Sequence, residues 1–133
     1  MSTDPGQAAV RTLERLSLGS LEKLGPGSAS VPAMDPRGLE IGVVHFGLGA
    51  FHRAHQAVFT EDASALTGDT GWGILGVTGR SARVADTLAP QDGLYSVLTK
   101  GQASSLRVIG SIRSAVSPGR DTPLVIGTLA AAG

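Results

Sequence analysis

Between Ile41 and Gln56 the chain reads IGVVHFGLGAFHRAHQ. An apolar run stops at Gly47-Leu48-Gly49, and His52, Arg53 and His55 come immediately after. Glycines at such a corner permit a tight turn and let the main chain come close to a ligand. The start of a following helix adds unpaired N–H groups and a partial positive charge. That is anion-binding chemistry, and the usual anion in a strand–turn–helix–strand unit is the pyrophosphate of a dinucleotide. His52 and His55 lie three apart and raise a metal as a second chemistry. Neither His45 on the strand nor Glu61 and Asp62 further along completes a ligand set, so no metal site is expected. A glycine corner with no ligand, leading into polar residues at a helix entry, is the third reading.

The fingerprint is inexact. Counted from Gly47, the third glycine of G-x-G-x-x-G falls at His52, where a large side chain alters how the helix packs on the strand. The second strand ends about 30 residues further on, as a dinucleotide-binding unit requires. Its end reads GVTGRSAR. No acid stands there to take the ribose hydroxyls of NAD, whereas Arg80 and Arg83 suit the extra phosphate of NADP or no discrimination at all. A solvated loop would carry the same arginines. No Ser-His-Asp set or carboxylate pair can be assigned. Asp92, in PQDGLY, reads as a turn residue before Gly93, and Tyr95 as packing.

These residues need elements to hold them. LEIGVVHFG (39–47) predicts a strand, with β-branched Ile41, Val43 and Val44, of the parallel kind covered on both faces. AFHRAHQAVFTEDASALTG (50–68) predicts one helix with Gly68 as its stop. WGILGVTG (72–79) predicts a second strand, and SARVADTLA (81–89) a short helix with Ser81 as its cap. GLYSVLTKG and SLRVIGSIRSAV are strand-like and pair as a hairpin. TPLVIGTLAAAG (122–133) predicts a helix with Thr122 capping and Pro123 in the first turn. Ahead of these, residues 1–38 form a lead-in. It holds a helix or two helical turns within RTLERLSLGSLEKL and an extended connector, GPGSASVPAMDPRG, laid over the surface of the domain. The fold class is α/β: a partial Rossmann-like βαβ domain, residues 39–133, behind that lead-in, its first unit a right-handed crossover.

Composition narrows the function classes. With 11 basic and 11 acidic residues the net charge is zero, which argues against an electrostatic grip on nucleic acid. Cysteine is absent, so disulfides, thiolate metal sites and a cysteine nucleophile are excluded. No apolar stretch approaches the ~20 residues of a membrane span. The opening MSTDPGQAAV has no apolar core and is not a secretory signal. The expectation is a cytoplasmic protein with no membrane and no nucleic-acid partner.

HFGLGAFHRAHQAVFTED, together with GWGILGVTGRSARVADTLAPQDGLYSVL and LRVIGSIR, resembles the mannitol dehydrogenase family, the long-chain polyol-specific dehydrogenases that include mannitol 2-dehydrogenase and the fructuronate and tagaturonate reductases. The resemblance covers most of the chain, and G-x-G-x-F-H-R-A-H-Q is its most specific part. It implies a Rossmann domain binding NAD(H), in some members NADP(H). Carried over, Gly47, Leu48, Gly49, Ala50 and Phe51, with His52 and Arg53, form the pyrophosphate turn, and Arg80 lies near the adenosine end. Relatives with this GVxxRS pattern often use NAD despite lacking the acid; most have a bulky residue where this chain has Gly79. In the family the catalytic Lys, Asn and His lie far downstream, in a mostly helical second domain. The resemblance therefore implies the N-terminal cofactor-binding portion of a polyol or hexuronate oxidoreductase, without its catalytic C-terminal domain and inactive alone. A non-catalytic nucleotide-binding module and a degenerate remnant are the competing readings.

Overall fold

The computed structural model of the protein describes residues 14–131. The elements are β1 (Ile41–Phe46), α1 (Ala50–Ala54), α2 (Gln56–Thr67), β2 (Gly73–Val77), α3 (Arg83–Leu88), β3 (Tyr95–Thr99), β4 (Ser105–Ile109), β5 (Ile112–Val116) and α4 (Thr122–Ala131). β1, β2 and β5 form a parallel sheet in that order, and β3 and β4 form an antiparallel hairpin beside it. The fold is α/β and Rossmann-like, as expected.

Side-chain alternation along the strands creates two core faces. Ile74 and Ile112 point to one side, where Leu48, Ala57, Ala85, Leu88, Tyr95 and Ile109 meet them. Leu75, Val77 and Val116 point to the other, against Val125 of α4 and Val44 of β1. β2, in the middle, is buried throughout. The expectation that β1 is covered on both faces holds only at its middle, where Val43 and Val44 pack against the two cores. It is an outer strand, with Ile41 and Phe46 exposed, because nothing among the described residues pairs with its far side.

Two expected single elements are divided. The helix expected over 50–68 breaks at His55 (φ −125°, ψ −77°), giving α1 and α2, and Gly68 ends the second in a left-handed conformation. SLRVIGSIRSAV is a hairpin strand up to Ile109 and a parallel-sheet strand from Ile112. Gly110, at the crossing, donates its N–H to Glu61 Oε1 (2.7 Å), and a Cβ there would lie 2.5 Å from Pro36 Cγ, so the chain can switch sheets only where it lacks a side chain. The isolated glycine inside an apolar run is the sequence signal for that bend. Thr122 is the first residue of α4 rather than its cap; the Asp121 carbonyl takes the first helical bond.

The start of the helix expected in RTLERLSLGSLEKL lies outside the described residues. From Leu16 onward the segment forms turns and one 3-10 turn, Leu21–Lys23, and its leucines pack on Leu94 and Val108. The connector runs over the surface as expected, and more firmly: Ser30 exchanges backbone hydrogen bonds with Leu106 and Val108, adding a parallel bridge to β4.

Candidate functional site

At the carboxyl end of β1 the Gly47 N–H donates to the Val77 carbonyl (2.9 Å), the last rung shared with β2. The chain then turns at Gly47, whose φ of 93° is a left-handed value glycine adopts without strain. Leu48 dives under the turn into the core, 3% exposed, and fits because Gly76 has no side chain: a Cβ there would stand 2.6 Å from Leu48 Cδ1. Gly49 caps α1 in an extended conformation, and its carbonyl accepts the first helical bond from the Arg53 N–H. The N–H groups of the first turn of α1 have no partner within the helix. A Cβ built on Gly47 meets nothing within 4 Å, so the main chain there is bare toward solvent. Glycine-bared backbone and free N–H groups are what a diphosphate requires.

The turn forms one wall of an open cleft of about 480 Å³ lined by Gly47, Leu48, Gly49, Thr78, Gly79, Arg80, Ser81 and Val84. Gly47, Leu48, Gly49 and Arg80 are thus together, as the sequence implies. Arg80 and Arg83 are exposed and enter no ion pair among the described residues. Ser81 Oγ accepts from the Arg83 N–H (3.2 Å), but it is not the cap expected of it: Ala82 is the N-cap of α3 and makes no side-chain capping bond. Sequence reasoning does not single out Thr78. Its hydroxyl is buried without a hydrogen-bond partner at the mouth of β2, lining the same cleft.

The remaining predicted residues are arranged around the turn. Phe51 is 77% exposed and stacks on the His55 ring (centroids 4.4 Å apart), away from the cleft. Ala50 and Arg53 line a smaller hollow with Tyr95 and Val97. Arg53 folds back so that Nε donates to the Gly49 carbonyl (3.3 Å). His52 is buried and stacks face to face on His45 of β1, with centroids 3.7 Å apart and planes 11° from parallel. Its Nδ1–H donates to Gln56 Oε1 (3.1 Å), and its Nε2 is buried without a partner. Burial pushes the imidazole below its ordinary pKa and the neighbouring His45 adds to that, against the Gln56 bond. The stacked pair replaces the close backbone contact that a third glycine would give. Ala50, Phe51 and His52 do not line the cleft that the turn opens on. No cluster of metal-ligating side chains occurs among the described residues.

Residues 41–131 match the mannitol dehydrogenase Rossmann domain. The chain belongs to the mannitol dehydrogenase family. The D-mannonate oxidoreductase of Escherichia coli K12 is 41% identical over 91 residues, 65% of this chain and 18% of that protein. Mannitol 2-dehydrogenase of Pyrenophora tritici-repentis is 37% identical over 108 residues, 79% of this chain and 18% of that protein. The solved ternary complex of Pseudomonas fluorescens mannitol 2-dehydrogenase with NAD and D-mannitol superposes with a TM-score of 0.78 at 33% identity, covering 89% of this chain and 25% of that one. The chain thus spans about a fifth of the curated family members it matches and a quarter of the solved one. No helix among the described residues is long and apolar enough to cross a membrane.

Proposed function

We propose that this chain is the cofactor-binding portion of a nicotinamide-dinucleotide-dependent oxidoreductase acting on a polyol or hexuronate, with NAD as its dinucleotide. The observation that carries the reading is the bared Gly47–Gly49 turn at the carboxyl ends of two adjacent parallel strands, opening on the cleft that also holds Thr78 and Arg80. In this arrangement the pyrophosphate lies on the main-chain amides of the turn, and Gly79, Arg80 and Ser81 meet the adenosine end. The NAD complex of the solved family member supports the choice of dinucleotide. A preference for NADP would show that Arg80 and Arg83 read a 2′-phosphate instead.

Residues 1–38 serve as the lead-in and 39–133 as the dinucleotide-binding unit, incomplete by comparison with its relatives. Hydride transfer requires nicotinamide and substrate to be held together, and the groups that hold the substrate belong to the portion of the family that this chain does not span. The bare outer side of β1 is where further strands would join. The setting is cytoplasmic.

Titration calorimetry of the 133-residue chain with NAD, NADP and ADP tests the proposal. Saturable heat with NAD and ADP, and no NADH production from mannitol or a hexuronate by the chain alone, is the expected outcome. No heat with any of the three would sink it, and turnover by the isolated chain would refute the division of labour.

A further inference from the structure

α1 carries the amides of the turn, yet it has only five residues, too few to hold its shape unaided. It must be held from outside. Leu48 anchors its entry and the His45–His52 stack its inner face. Its exit is held by Tyr95. The helix breaks at His55, so among the described residues the Arg53 carbonyl receives no main-chain bond from α2. The Tyr95 hydroxyl, brought across from the first residue of β3, donates to that carbonyl instead, at 2.6 Å.

From there a continuous series of hydrogen bonds runs back to the cleft. The Arg53 N–H and Nε both donate to the Gly49 carbonyl, the Gly49 N–H to the Gly47 carbonyl, and the Gly47 N–H to Val77 of β2. The ring of Tyr95 is fixed in the core opposite Ile109, so its hydroxyl is a rigid post rather than a swinging arm. Burial first, and then the charge of Glu61, push its pKa up against the pull of Arg53 and Arg107, which keeps the donor proton in place.

We infer that Tyr95 is the positioning residue of the phosphate-binding turn, setting the angle of α1, and with it the aim of the turn's amides, through the Arg53 carbonyl. The inference deepens the dinucleotide reading, and its effect on affinity rests on that reading; the effect on the turn itself does not.

Tyr95→Phe keeps the ring and removes the donor. Amide hydrogen exchange on the unliganded chain should then be about tenfold faster for the hydrogen-bonded amides of Gly49, Arg53 and His55, with the amides of β2 unchanged, as expected for loss of one hydrogen bond to a part-buried acceptor. Affinity for NADH should fall by a similar factor, with a drop of only a few degrees in the melting temperature. Faster exchange spread evenly over the sheet would make Tyr95 a packing residue only and overturn the inference, as would unchanged exchange at the turn. In case the variant folds poorly, NMR of the native chain gives a second check. A slowly exchanging Tyr95 hydroxyl proton close to Arg53 and Ala54 is expected, and a rapidly exchanging one refutes the contact. If the native chain binds no NADH, the dinucleotide reading fails, and the exchange data still judge the post.

Discussion

His52 stands where the dinucleotide fingerprint asks for its third glycine, and its environment explains how the substitution is tolerated. The ring lies flat on His45 and spends one nitrogen on Gln56, leaving Nε2 enclosed and unpartnered. Protonation would place a charge in that enclosure beside a second imidazole. The folded state therefore holds the His52 proton more weakly than the unfolded chain does, and below the ordinary histidine value near 6.5 the unfolded chain binds more protons. The stability due to a neutral His52 is complete above that pH and is lost as pH falls through it. The melting temperature should drop between pH 7.5 and 5.5, and it should drop less in His52→Leu, which keeps the bulk and cannot titrate. Parallel pH profiles for the two proteins would refute the assignment.

At the scale of elements, the turn depends on one missing side chain in its neighbour. Gly76→Ala drives a Cβ into Leu48, and overpacking of this kind costs about 1–3 kcal/mol. Gly79→Ala, two positions past the end of β2, meets nothing within 4 Å and should stay within about 0.5 kcal/mol of the parent. Urea unfolding of both variants checks the contrast, and equal losses would count against the packing account. The strand–turn–helix order, the hairpin and the left-handed corner at Asp92 and Gly93 are all legible in the sequence, because apolar runs, glycine placement and β-branched residues act locally. The division of the long helix at His55 is not legible. The Arg53 carbonyl that this break frees is taken by Tyr95, 42 positions away in the chain, a contact that local periodicity does not report. The switch of sheets at Gly110 is marked in the sequence only by an isolated glycine inside an apolar run, and what fastens it is hidden. It relies on Glu61, whose carboxylate also receives Arg107 and the Ala33 N–H. In the sequence Glu61 has weight only as a distant metal ligand; in the fold its carboxylate is a buried fastening between α2, the connector and the hairpin. Thr78 carries no motif at all, and only its place at the end of β2 marks it.

Over the whole molecule, one stretch of exposed apolar surface lies beside the open edge of β1. Ile41 of β1 and Leu124 of α4 are exposed on a hollow of about 660 Å³ lined also by Glu40, Pro123, Gly127, Thr128 and Ala131, and Phe46, at the other end of β1, is exposed as well. An open strand edge beside such a patch invites association. Sedimentation of the chain should show concentration-dependent self-association that Phe46→Lys weakens, and an ideal monomer at all concentrations would contradict this. Around the sheet switch the chain is closed tightly, because Pro32 and Pro36 sit over Gly110 and the Ala33 amide completes the shell of Glu61. The stretch that matches the family begins at Ile41, after all three of those residues. Trimming the protein to that homology boundary would strip the lid from a buried carboxylate and unseal the joint where hairpin meets sheet. The lead-in therefore belongs to the folding unit, in keeping with solved and curated relatives whose match reaches 89% of this chain.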